Sequence, residues 1–221
     1  MIRARMDLTL QLFDAIRSGD AGAVAELLGR DPGLVQAEKD GVSAIRVAVY
    51  HGHPEIARLF QDRGATLDVF DASTVGDTAR LRDLLATDAA LANAVASDGF
   101  TPLGLASFFG HPEAARLLLA NGADPNLAAQ NSTRVAPLHS AVAGGSVEIV
   151  RELLAHGADV HARQDLGFTA LHGAAVEGTE EMIRLLLDHG ADPYAKNDPG
   201  KTPGDLARER GRKQAAQLLL R

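Results

Sequence analysis

Gly167-Phe168-Thr169-Ala170-Leu171-His172 echoes Gly99-Phe100-Thr101-Pro102-Leu103, and the rest of the chain can be read outward from this pair. Val135-Ala136-Pro137-Leu138-His139 and Gly200-Lys201-Thr202-Pro203 extend the series, with Gly41-Val42-Ser43-Ala44-Ile45 as a worn copy. A second string follows the copies: Gly122-Ala123-Asp124-Pro125-Asn126, Gly157-Ala158-Asp159-Val160-His161, Gly190-Ala191-Asp192-Pro193-Tyr194 and, more weakly, Gly64-Ala65-Thr66-Leu67-Asp68. Gly122, Gly157 and Gly190 stand 35 and 33 residues apart, and Asn131-Ser132-Thr133 carries the two-residue insertion. Self-similarity at such a period marks a stack of small units, none able to bury its apolar face alone.

Each unit reads as two antiparallel helices and a projecting turn. In Thr101-Pro102-Leu103 the threonine hydroxyl can cap a helix whose first-turn proline lacks only an N–H that would have no partner anyway. Gly110 ends that helix in a left-handed conformation. A second helix starts near Pro112-Glu113, with an acid in its first turn to suit the helix dipole, and runs through Leu117, Leu118 and Leu119 until Gly122 stops it. The Asp/Asn/Gly-rich segments turn the chain back to the following unit.

These residues resemble the ankyrin repeat over essentially the full chain, through the period of about 33 and the Thr-Pro-Leu-His signature. The resemblance implies an all-α solenoid of stacked antiparallel helix pairs with projecting turns. As a single domain, 1–221, it divides into units at about 7–40, 41–69, 70–98, 99–131, 132–166, 167–199 and 200–221. The first and third depart most. Phe13-Asp14-Ala15-Ile16-Arg17-Ser18-Gly19-Asp20 matches Phe70-Asp71-Ala72-Ser73-Thr74-Val75-Gly76-Asp77 at an offset of 57, which makes the third a real unit of shortened form. Longer returns, Asp31-Pro32-Gly33-Leu34-Val35 and Asp88-Ala89-Ala90-Leu91, replace Gly-Ala-Asp in these two units. Arg46 and Gly104 stand where His would brace neighbouring turns, Arg134 replaces a turn glycine, and Gly204 stands where other copies have Leu or Ile. These units are expected to be locally weaker.

Composition agrees with thin, closely packed layers. Seven Phe, two Tyr and no Trp serve 221 residues, so Ala, Leu, Val and Ile must build most of the core. No cysteine is present, which removes disulfides, thiolate catalysis and Cys-ligated metal. The net charge of −7 argues against nucleic acid. Residues 201–221 alone carry six Lys/Arg against two acids, +4, leaving −11 for the rest, and a solvated terminal helix explains that run. Charged and polar residues interrupt every apolar window near Met1, and no stretch approaches the roughly 20 apolar residues of a membrane span. A cytoplasmic monomer is the expectation.

Six of the eight His fall into recurring repeat positions. His139 and His172 close the signature, His53 and His111 follow the mid-repeat glycine, and His156 and His189 precede the Gly-Ala-Asp glycine. His51 and His161 lack a His-x-x-x-His partner or carboxylates at ligand spacing, so neither a metal nor a cofactor is expected. Phosphate-cradling glycine motifs and the Gly-x-Ser-x-Gly elbow are missing, and Glu180-Glu181 suits a helix dipole. A repeat stack is expected to lack a deep apolar pocket, so catalysis is not anticipated.

The implied surface is a slightly curved slab on the order of 60 Å long, with helix pairs roughly 8 to 10 Å apart. In proteins that this one resembles, partners dock on the turn tips and the exposed ends of the first helices. Carried over, this gives Phe108, Phe109, Tyr50, His51, Val176 and Glu177, with Phe100 and Phe168 just ahead of the first helices. Phe108-Phe109 is the leading pair, because an aromatic-poor chain places two adjacent rings at positions that face solvent in the family and aromatic anchors are enriched at interfaces. Either ring could instead cover the gap beside the shortened third unit. Tyr50-His51 forms a second patch, and Phe100 and Phe168 precede the Thr, where apolar residues often pack locally. The expected function is non-enzymatic binding of a protein partner. The alternative is a dedicated inhibitor or protective partner of a specific enzyme, using an acidic surface.

Overall fold

The computed structural model describes residues 2–220, with side chains from residue 7. Fourteen α-helices among them form seven consecutive antiparallel pairs. They are α1 (Ile2–Ser18) with α2 (Ala21–Arg30), α3 (Ala44–Tyr50) with α4 (Pro54–Asp62), and α5 (Val69–Val75) with α6 (Thr78–Thr87). Then follow α7 (Pro102–Phe108) with α8 (Pro112–Ala120), α9 (Pro137–Ala143) with α10 (Val147–Ala155), α11 (Ala170–Val176) with α12 (Glu180–Asp188), and α13 (Pro203–Glu209) with α14 (Lys213–Leu218). α1 begins ahead of the expected start at residue 7.

Local chemistry sets the helix starts. Thr101 Oγ1 accepts from the Gly104 N–H at 3.1 Å, Pro102 occupies the first turn, and Gly110 and Gly122 adopt φ of 72° and 83° after the two helices of that pair. The longer returns of the first and third units are 3₁₀ turns, Pro32–Gln36 and Ala89–Asn93. They open on the same device, with Asp31 and Asp88 each accepting from the N–H two residues ahead at 2.9 Å. The described strands are β1 (Glu38–Lys39) and β2 (Val42–Ser43), joined through Asp40-Gly41 at φ of 54° and 75°, the residue pair that a tight hairpin favours.

Successive first helices pack on one another from α1 to α13. The residue five places past each N-cap makes this close approach possible: Ala48, Ser73, Ala106, Ala141, Ala174 and Ala207 are all fully buried. Ser73 fits the series because its hydroxyl donates to the Val69 carbonyl at 2.7 Å. Second helices contribute Leu118, Leu153 and Leu186, also fully buried. Phe13 and Phe60 are the two fully buried rings, and Phe70 packs partly buried against the same core. The projecting turns are tied in sequence by backbone bonds, Gln130 N to Gly99 O, Asp165 N to Thr133 O, and Asp198 N to Leu166 O, at 2.8 to 3.0 Å.

Arg46 does not leave a hole where a bracing His would stand. It is buried, and its Nε donates to Asp71 Oδ1 at 3.0 Å while Nη2 donates to the Gly41 carbonyl at 3.2 Å. Asp71 occupies the equivalent position of the next unit, three past the N-cap, so two departures from the common pattern satisfy each other. The guanidinium also lies 5.4 Å from the centre of the Phe70 ring. Burial pulls Arg46 toward deprotonation, and its neighbours, Asp71 first and then Asp68, Tyr50 and Asp98, more than reverse it. Arg134 meets the demand of its turn in the left-handed region itself, at φ 48°.

Candidate functional site

Two residues from each unit after the first, seven and eight past the N-cap, end the first helices and form a ladder across the stack. In order they are Tyr50-His51, Val75-Gly76, Phe108-Phe109, Ala143-Gly144, Val176-Glu177 and Glu209-Arg210. The ladder is aromatic at one end, nearly bare at α9 and charged at the other. The bare rung opens a groove of about 700 Å³, lined mainly by apolar groups and reaching from Tyr50 to Arg210. The stack was expected to lack a deep apolar pocket; what it carries is an open apolar groove of this size. Nothing in the repeat signature announced the groove. At the α9 rung only Ala143 lines it, with no more than a methyl group, where the neighbouring pairs supply rings or a valine.

Close backbone approach fixes the bare rung. A Cβ at Gly144 would lie 2.3 Å from the Phe108 carbonyl oxygen, so α9 sits against the end of α7 as only glycine permits. The groove walls on either side are Phe108 on α7 and Val176 on α11.

Phe108 is 49% exposed, while Phe109 is half-buried. The Phe109 ring stacks on Tyr50 at 5.9 Å between centroids and 7° between planes, and Phe108 meets it edge-on at 5.1 Å and 86°. Tyr50 and Phe109 belong to the second and fourth pairs, and the rungs between them, Val75 and Gly76, carry no ring. Both readings of the adjacent phenylalanines are therefore realised, one by each. Phe109 bridges over the shortened third unit, and Phe108 faces solvent.

Tyr50 is anchored from below. Its hydroxyl donates to Asp98 Oδ2 at 3.0 Å, and Arg46 Nη1 lies 3.7 Å from the same oxygen. Burial, followed by the Asp98 charge, holds the phenol well above the ordinary tyrosine range. This anchor was not legible, because Asp98 lies in a turn and nothing in its spacing points to Tyr50.

Of the remaining expected residues, Phe100, Phe168, Val176 and Glu177 line the groove, and His51 does not. Phe168 also packs at 5.4 Å from the His172 ring, and its carbonyl accepts from His139 Nε2 at 3.2 Å. Five of the nine Phe and Tyr rings thus share one groove: Tyr50, Phe100, Phe108, Phe109 and Phe168.

The histidines serve the stack. His172 Nδ1 accepts from the Thr169 N–H at 3.1 Å, and Nε2 donates to the Lys201 carbonyl at 3.1 Å. Burial lowers both His139 and His172 below the ordinary histidine range, so both are neutral braces. His156 and His189 Nδ1 each reach the carbonyl four residues back at 2.8 Å. Among the described residues no group of three or more His, Asp or Glu could hold a metal ion, and no helix is long and apolar enough to cross a membrane.

Comparison with known proteins agrees with this architecture. The family model for ankyrin repeats matches residues 12–164 and 138–221. The chain is 31% identical over 137 residues to the transient receptor potential cation channel subfamily A member 1 homolog of Caenorhabditis elegans, covering 58% of this chain and 11% of that protein. It is 36% identical over 137 residues to ankyrin repeat and SOCS box protein 16 of Homo sapiens, covering 57% and 29%. It is also 36% identical over 104 residues to ankyrin repeat and SAM domain-containing protein 6 of Mus musculus, covering 47% and 12%. The matched segment spans less than a third of the length of each of these relatives.

Proposed function

The chain belongs to the ankyrin-repeat family, whose repeats are generally protein–protein interaction modules, and on that premise we propose that it is a non-enzymatic module docking a partner protein in the groove along its first helices. One observation carries the proposal: five of nine rings line that groove, in a chain that buries only two fully in its core. Rings held partly in water cost solubility, and aromatic anchors are the residues that interfaces use most. Neighbouring interactions also hold these rings in place, so little side-chain freedom is lost on binding.

The alternative of an inhibitor using an acidic surface has less support. The carboxylates lining the groove are Glu177 and Glu209, and Lys201 already neutralises Glu209. Apolar burial is the stronger driving force there.

The test is capture of the partner from native lysate by the wild-type chain, compared with Phe108→Glu and Ala143→Phe. The first replaces an anchor with a charge, and the second fills the bare rung. Both are expected to abolish capture while leaving cooperative unfolding near wild type. Capture that survives both substitutions places the interface elsewhere.

A further inference from the structure

We infer that the groove takes a short peptide segment bearing one bulky apolar side chain and, beside it, a lysine or arginine. This rests on the proposed docking function and specifies the chemistry of its ligand.

The apolar half follows from the bare rung. Between Phe108 and Val176 the ladder lines the groove with Ala143 alone, and the small residues Gly104, Ser140 and Gly173 also line it, so large side chains flank small ones. No side chain can be added beside Ala143 to close the void, because a Cβ at Gly144 would lie 2.3 Å from the Phe108 carbonyl oxygen. A single inserted side chain would fill it and touch the edge of the aromatic cluster.

The basic half follows from the charges around that void. Glu209 is held by Lys201 Nζ at 2.7 and 2.8 Å. Glu177 lines the same groove one rung from the void, is exposed, and has no side-chain partner among the described residues. An apolar ligand covering this site would strip water from the Glu177 carboxylate and leave it unpaired, a cost that a cation on the ligand removes. Arg210, on the following rung, also lacks a side-chain partner and repels a second cation. The ligand's positive group is thereby confined to the Glu177 side, next to the inserted side chain. The chain's net charge of −7 favours the same sign of partner.

The experiment is selection of random peptides of about a dozen residues displayed against the wild-type chain, followed by fluorescence polarisation with synthetic copies of the enriched sequences. Enriched peptides are expected to pair a large aliphatic or aromatic residue with Lys or Arg at near-constant spacing. Glu177→Gln should weaken them about threefold to fivefold, as for a partly exposed ion pair, and added salt should reduce that difference. Glu177→Lys should redirect selection toward Asp or Glu. Peptides that lose affinity to Phe108→Glu and Ala143→Phe but bind Glu177→Gln as well as wild type, or that carry no basic residue, overturn this inference and leave the docking reading standing. Selection that yields nothing sensitive to Phe108→Glu or Ala143→Phe overturns both.

Discussion

The ring of His111 lies directly over Gly76. A Cβ at Gly76 would fall 2.6 Å from His111 Nδ1, and His111 Nε2 donates to the neighbouring Thr74 carbonyl at 3.0 Å. The first pair repeats the arrangement, with a Cβ at Gly19 falling 2.5 Å from His53 Cε1. The histidine that begins each following second helix thus seals the turn of the unit before it. Gly76 and Gly19 hold φ of 73° and 74°, so a side chain there meets both backbone strain and a clash. Gly76→Ala is expected to cost about 2 to 3 kcal/mol. Gly122→Ala, at φ 83° but in open space, should cost only about 1 kcal/mol. Urea unfolding of the two variants checks the difference, and equal losses would mean that the His111 contact contributes nothing.

Ala136 is the N-cap of α9, where neighbouring units have Thr101, Thr169 and Thr202. It makes no side-chain cap, and the buried His139 Nδ1 has no hydrogen-bond partner, whereas His172 Nδ1 lies 2.8 Å from Thr169 Oγ1. Ala136→Thr restores the missing hydroxyl and is expected to stabilise the chain by about 0.5 to 2 kcal/mol. An unchanged denaturation midpoint would show that the hydroxyl fails to reach either the helix or the ring.

The repeat signature carries the helix pairs, their caps and the small buried rung, because each depends on residues a few positions apart whose chemistry is local. The groove was only half legible. The register of the repeat brings Phe108, Tyr50, Val176 and Glu177 to one face, but the space between them opens at Ala143, where only a methyl group lines the groove. Absence at one rung matters only once the neighbouring rungs are in place. The Arg46–Asp71 pair was not legible for a related reason. Each residue alone is a departure from the pattern, and they become partners only when adjacent units stack.

Stability should fall on mild acidification. His139 and His172 titrate near 6.5 in the unfolded chain, and burial depresses both in the folded one. Below about pH 6.5 the unfolded state therefore binds protons that the folded state refuses, so their contribution is complete above that pH and is lost as pH falls toward the folded values. Each can contribute up to about 1.4 kcal/mol per pH unit within that window. His172→Gln should flatten the profile between neutral pH and the folded value, at some loss of stability near neutrality. A profile of unchanged slope would mean that His172 titrates normally in the fold.

Arg46 and Asp71 should behave as a coupled pair. Their side chains are 3% and 5% exposed, and Asp71 also accepts from Ser43 Oγ at 2.5 Å. Burial, then repulsion from Asp68, pushes Asp71 above the usual carboxylate range even beside the guanidinium, so it depends on its partners to remain ionised. Arg46→Leu is expected to cost about 3 to 5 kcal/mol, because it strands the Asp71 carboxylate. Adding Asp71→Asn should recover a large part of that loss. A double variant as unstable as the sum of the two single changes would show that they do not interact.

Phe108 and Leu118 should separate the proposed binding from folding within one helix pair. Phe108 is 49% exposed at the end of α7, while Leu118 is fully buried on α8. Replacing a ring already half in water forfeits little burial, so Phe108→Glu should change stability by less than about 1 kcal/mol. Leu118→Ala removes packed atoms and leaves a cavity between neighbouring units, at about 2 to 5 kcal/mol. Because the stack is nearly one-dimensional, the Leu118 loss should be felt by units on both sides as a broadened or split unfolding transition. Thermal unfolding followed by circular dichroism measures both effects. If Phe108→Glu costs as much as Leu118→Ala, the ring serves the fold, and its exposure has another explanation than recognition.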